Sequence, residues 1–140
     1  MMTKNDMIPK VLQYLFVVLL CYGCANSSYK ISLTDSLESS VSNDTLYWYQ
    51  IDIGHEWDSV YIVKPYAVVS EIDAELTETD RVAIEKLTQF DIVCTLLFIK
   101  DNRLVAYSTV PRGVIDFCQV KETNYARHSM CVIVRGALSN

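Results

Sequence analysis

Glycine, proline and histidine are all scarce in this 140-residue chain, which has four, three and two of them. Four glycines leave little material for a phosphate-cradling loop, and neither a Gly-rich phosphate motif nor Gly-x-Ser-x-Gly occurs. Nucleotide chemistry and the strand-turn-helix nucleophile of many esterases are therefore poor candidates. A zinc-protease helix needs His-Glu-x-x-His; here His55-Glu56 is followed by Ser59 where the second imidazole should stand. Structural zinc sites show paired short cysteine spacings, and the one Cys-x-x-Cys runs from Cys21 to Cys24, in a segment of another kind. Clusters of Lys and Arg are missing too. The net charge is −5, so the electrostatic term that drives DNA and RNA binding is absent. No cofactor is expected.

Long apolar runs are also lacking, with one short exception. Lys4 and Lys10 precede a stretch over 11–22 that is apolar apart from Gln13, the charged-then-apolar layout of a signal peptide. A spanning helix needs about 20 apolar residues, more than this stretch supplies. Gly23-Cys24 follows at once. This segment resembles the lipobox of bacterial lipoproteins, in which a small residue precedes a cysteine, although Cys21 and Tyr22 stand where the pattern has Leu and a small residue. The resemblance covers the first 24 residues. It implies cleavage before Cys24, a diacylglycerol on its sulfur and an acyl chain such as palmitate on the new amino group. Two or three chains hold a protein on a bilayer far more firmly than one, at about 0.8 kcal/mol per buried methylene. Ordinary secretion with cleavage near Ala25, or an uncleaved core segment, is the alternative. Removing residues 1–23 leaves 10 basic and 16 acidic residues, a net charge of −6.

Three regions are expected: a signal peptide over 1–23, the lipidated cysteine with a flexible Ser-rich tether over 24–44, and a single domain over 45–140. The tether holds seven serines between residues 25 and 44 and few large apolar residues. Such composition buries too little apolar area to offset ordering entropy, although Ile31, Leu33 and Leu37 leave room for a short edge strand or helical turn.

Past Thr45 the pattern changes. Tyr47, Tyr49, Ile51 and Ile53 alternate with Trp48, Gln50 and Asp52, the period of a half-buried strand that Gly54 breaks. A second strand, Val60-Tyr61-Ile62-Val63, stops at Lys64-Pro65, because proline has no N–H for the ladder. Ser70 and the Thr79-Asp80 pair are helix starts, and Ile72, Leu76, Ala83, Ile84, Leu87 and Phe90 share a helical face. One broken helix or two short ones are expected over 70–89. The run from Ile92 to Ile99 is apolar on both faces and rich in β-formers, as in a central strand. Asp101-Asn102 suits a hairpin loop leading back through Leu104-Val105-Ala106-Tyr107. Pro111-Arg112-Gly113 is a turn; 115–120 is a possible short strand and 130–134 a last one. The order implies an α+β fold: an antiparallel sheet of four to six strands packed against one or two helices, with helix on one face.

The segment Trp57-Asp58-Ser59-Val60-Tyr61-Ile62-Val63-Lys64-Pro65-Tyr66, followed by Pro111-Arg112 and Asp116-Phe117, resembles a group of small bacterial envelope proteins. It implies no particular activity.

The densest polar and aromatic cluster is His55-Glu56-Trp57-Asp58, in an expected loop. His55, Asp52 and Asp58 have the chemistry for a metal site or an acid-base pair. The plainer alternative is a strand-connecting turn in which Trp57 packs and Asp58 hydrogen-bonds backbone. Ligand binding is a candidate role for Trp48, His55, Trp57 and Asp58. Of the remaining cysteines, Cys118 and Cys131 lie in expected neighbouring strands and are the better disulfide pair, with Cys94 buried in the central strand. His128 lies near them without matching a thiol-protease or zinc pattern.

An anchor, a tether and no catalytic motif point to a non-enzymatic lipoprotein facing the periplasm or the outside. It would meet the membrane through its lipid and bind an envelope protein or glycan, or support an assembly. The rivals are a cell-envelope hydrolase using His55 and Asp58, or a periplasmic inhibitor or immunity-like protein.

Overall fold

A computed structural model of the chain describes residues 28–133. Ten elements follow in order: β1 (Tyr29–Lys30), α1 (Thr34–Ser40), β2 (Val41–Ser42), β3 (Thr45–Tyr47), β4 (Ser59–Val63), α2 (Glu78–Thr88), β5 (Val93–Lys100), β6 (Arg103–Pro111), β7 (Asn124–Ala126) and β8 (Met130–Val132). Single 3-10 turns occupy Trp48–Gln50, Val69–Glu71 and Phe117–Gln119. The fold is α+β, as the sequence implies. A five-stranded sheet runs β1-β6-β5-β4-β7, antiparallel except for the parallel pair of β1 and β6, and a three-stranded antiparallel sheet runs β2-β3-β8.

β5 lies in the middle of the larger sheet, and all residues from Cys94 to Ile99 are buried. Both its faces are covered. Leu97 and Ile99 meet Val63, Val69, Ile72, Leu104 and the α2 residue Ile84, so α2 lies on that side, as its apolar face predicts. Cys94, Leu96 and Phe98 face the larger cluster, which holds both tryptophans, Phe117 and residues of the small sheet. Helix on one face alone, as expected from sequence, is therefore corrected: a second, mostly irregular layer closes the other face. That layer is what makes an apolar run on both sides of β5 favourable, since each large apolar side chain it covers contributes roughly 1.5–3 kcal/mol.

Hairpin chemistry behaves as the residues dictate. Asp101 and Asn102 take φ of 49° and 62° between β5 and β6, the pair of positive values that matches a two-residue turn to strand twist. Asn43 and Asp44 repeat this at 50° and 58° between β2 and β3. Opposite the shift between Phe98 and Ile99, Ala106 pairs with the former and Leu104 with the latter, leaving Val105 as the extra residue. The bulge is why Leu104 and Ala106, two residues apart, serve opposite clusters. At the start of α2 the Thr77 hydroxyl accepts from the Asp80 N–H at 3.1 Å, an N-cap with Glu78 and Asp80 in the first turn.

Three sequence expectations are corrected here. Over 28–44 the chain is not a flexible tether: β1 pairs with β6, and Leu33 and Leu37 of the α1 region are 4% and 0% exposed in the larger cluster. Residues 1–27, with the expected signal peptide and Cys24, lie outside the described residues, as does the end of the expected strand over 130–134. The alternating strand over 47–53 is likewise replaced, because β3 ends at Tyr47 and the 3-10 turn shifts the phase. Leu46, Trp48, Ile51 and Ile53 point inward, leaving Tyr49 exposed. Finally, the strand expected over 115–120 is absent, and Phe117–Gln119 form a 3-10 turn there. Among the described residues no helix is long and apolar enough to cross a membrane.

Candidate functional site

The His55 cluster does not converge. The Asp52 carboxylate accepts from the Gly54 N–H at 2.8 Å, holding the turn in which Gly54 has φ of 74°. The His55 ring stacks on Tyr29 with centroids 5.3 Å apart and planes 5° from parallel. The Asp58 carboxylate binds Lys100 Nζ at 3.0 Å and accepts from the Asp101 N–H at 2.9 Å. These two bonds hold the Asp58 carboxyl below its ordinary range, the backbone donor contributing most. Each of the three side chains thus has its own partners, and among the described residues they form no group that shares an ion. Asp58 fastens the loop before β4 to the β5/β6 hairpin, and the strand-connecting turn is the arrangement found.

Neither tryptophan is a surface ligand platform. Trp48 is fully buried against Phe117 and Tyr125, with centroids 5.9 and 5.8 Å away. Trp57 is 2% exposed, edge-on to Phe98 at 5.1 Å, and the Arg127 guanidinium lies 5.4 Å from its ring centroid. Ligand binding by Trp48 and Trp57 is therefore corrected to a core role.

The cysteines are free and are arranged differently from the sequence expectation. Cys131 is buried within β8 opposite Leu46, and burial pushes its thiol up to about 12. Instead the Cys94 and Cys118 Sγ atoms stand 3.0 Å apart. The reason is the 3-10 turn at Phe117–Gln119, which folds the chain after β6 back over the start of β5. Asp116 sets that turn by accepting from the Cys118 N–H at 3.1 Å, and Arg112 grips Asp116 through Nε at 3.0 Å and Nη2 at 3.1 Å. Arg112 Nη1 also donates to the Asp91 carbonyl at 3.0 Å. The guanidinium holds the Asp116 carboxyl below its ordinary range, and burial with the neighbouring Cys118 sulfur pushes the Cys94 thiol up. Among the described residues, Cys94, Asp116 and Cys118 are the one group of potential ligand atoms lying within 4.8 Å of one another. In sequence Arg112 and Asp116 stood out only as parts of short motifs; their spacing of four around Pro111-Arg112-Gly113 was the available signal.

Both ends of the sheet carry ion pairs, Arg112 with Asp116 lying just past the end of β6, and they differ in how many large apolar side chains they expose. At the end of the β5/β6 hairpin lie the ion pairs of Asp58 with Lys100 and of Glu75 with Arg103. Ser28, the first described residue, enters on that side through a hydroxyl bond to Asp80 near the start of α2. At the opposite end, Tyr66, Val68, Phe90 and Ile92 are 67%, 56%, 55% and 67% exposed. The Tyr66 N–H donates to the Thr88 carbonyl at 2.8 Å, joining the turn after β4 to the end of α2. Tyr66 holds φ of 61°, a costly backbone state for a bulky side chain. No protein-family model, curated protein or solved structure matches the chain.

Proposed function

We propose that this chain is a lipid-anchored bacterial envelope protein whose domain binds a protein partner at the end furthest from the anchor. The observation that carries the reading is polarity. Cys24 precedes Ser28 by four positions, a reach of about 14 Å when extended, and Ser28 is tied to the charged hairpin end. A lipid on Cys24 would keep that end at the membrane and turn the exposed Tyr66, Val68, Phe90 and Ile92 outward. Among the described residues, four of the nine exposed large apolar side chains lie at that end, and such a group is the usual mark of a protein contact. Separate engagement of Asp52, His55 and Asp58 gives a hydrolase reading no support, because acid-base work needs groups converging on one reacting atom.

The test is fractionation of cells making the wild-type chain or Cys24→Ala. Loss of acyl labelling and release of the variant from the membrane fraction are expected; unchanged labelling and retention contradict the anchor. A photo-crosslinking residue at position 92 should give protein adducts that one at position 103 does not. Equal adducts at both would contradict the outward-facing end.

A further inference from the structure

We propose that Cys94 and Cys118 are a redox pair that closes to an intramolecular disulfide by exchange with a small-molecule or protein disulfide. The proposal rests on geometry and not on the anchor. Their Sγ atoms are 3.0 Å apart, about one ångström beyond a bonded S–S length of roughly 2.05 Å, so closure asks for a small adjustment. The half-buried Cys118 belongs to a loop turn, while Cys94 belongs to a central strand; the loop side is the one free to yield.

Accessibility sets the order of events. Cys94 is fully buried and Cys118 is not, so the Cys118 thiolate attacks one sulfur of the donor disulfide RS–SR. A Cys118-S-S-R mixed disulfide forms and RS⁻ leaves, taking up a proton. Cys94 then gives up its proton and attacks the Cys118 sulfur, expelling the second RS⁻, which is protonated in turn. The two protein thiols are oxidised and RS–SR is reduced to two RSH. Arg112 and Asp116 hold the loop in register for the second attack, since Asp116 receives the Cys118 N–H while gripped by the guanidinium.

A zinc ion fits this cluster less well. Two thiolates on tetrahedral zinc, with Zn–S near 2.3 Å, stand about 3.8 Å apart, wider than the pair found here. Both Asp116 oxygens are already bonded to Arg112, and the group supplies three ligands where a closed site takes four.

The deciding experiment uses the full chain, reduced, then equilibrated with oxidised glutathione, alkylated in denaturant and mapped by mass spectrometry. A peptide joining Cys94 to Cys118, lighter by two hydrogens and split by reductant, is expected, with Cys131 alkylated. Alkylation of both Cys94 and Cys118, or a link from Cys118 to Cys131, would overturn the proposal. So would protection of the pair by zinc alone, with one ion retained per chain. Because Cys118 is on a half-buried turn, Cys118→Ser keeps the shape while removing the chemistry. Oxidised wild type should melt roughly 10 °C above reduced. Cys118→Ser should melt alike in both conditions, and a remaining redox-dependent shift would assign the effect elsewhere and overturn the pair.

Discussion

The two faces of the central sheet are covered by different means. On one, α2 lays a periodic apolar face, and the cluster beneath it is aliphatic, built from Val63, Val69, Ile72, Ile84, Leu97, Ile99 and Leu104. On the other, irregular chain beside α1 and the small sheet brings Trp48, Trp57 and Phe117 from distant positions onto Phe98 and Tyr125 of the central sheet, forming one aromatic cluster. A helix satisfies its own backbone bonds and needs only a stripe of side chains. An irregular layer must be held by its side chains, so the larger aromatics concentrate there.

That contrast can be broken most sharply by removing one anchor from each face. Trp48→Ala should cost about 4 kcal/mol and Ile84→Ala about 3 kcal/mol, measured by urea unfolding. Losing Trp48 should also release α1 and β3, seen as faster amide exchange over 33–47, whereas losing Ile84 should leave that segment protected. Equal exchange in the two variants would mean that the faces are not separable. The helical face has a local determinant besides its packing: Thr77→Ala removes the N-cap of α2 and should cost about 1 kcal/mol, with exchange rising in the first turn of α2 alone.

The smallest effect is electrostatic and belongs to the irregular face. The lowered Asp116 pKa means the folded carboxylate takes a proton less readily than the unfolded one. Its stabilisation is thus present above the ordinary carboxylate range, near pH 4, and is lost as the pH falls through the lowered value. Asp116→Asn should lower the urea midpoint at about pH 7 and narrow the drop between about pH 7 and pH 3. An unchanged drop would show that the ion pair with Arg112 does not stabilise the loop.

Legibility in the sequence follows the same division. The apolar run of β5, the Asp101-Asn102 turn and the stop at Pro65 are local patterns, each found where its period or turn chemistry puts it; of the helical face expected over 70–89, Ala83, Ile84 and Leu87 lie on α2, while Ile72 and Leu76 precede it and Phe90 is exposed beyond it. The other face is less legible because its determinants are long-range. Alternation over 47–53 assumes a regular strand, and one 3-10 turn reverses which residues face inward. Leu33 and Leu37 sit among serines, and nothing local reveals that the larger cluster has places for them. Asn43-Asp44 was a readable turn signal that the Ser-rich composition obscured. The approach of Cys118 to Cys94 depends on how the loop after β6 folds back, which spacing alone does not encode. As for the candidate site, His55 and Asp58 lie in a loop as the sequence implies, and nothing local in it shows that their partners lie on β1 and at the β5/β6 hairpin.

The proposed function turns on the residue at which the natural chain begins, and intact-mass spectrometry of the protein from its natural host tests it most directly. Lipidation requires a polypeptide beginning at Cys24 and carrying two or three acyl chains. A chain beginning at Met1, or one starting at Ala25 without lipid, would contradict it and remove the reason for calling the apolar end outward-facing.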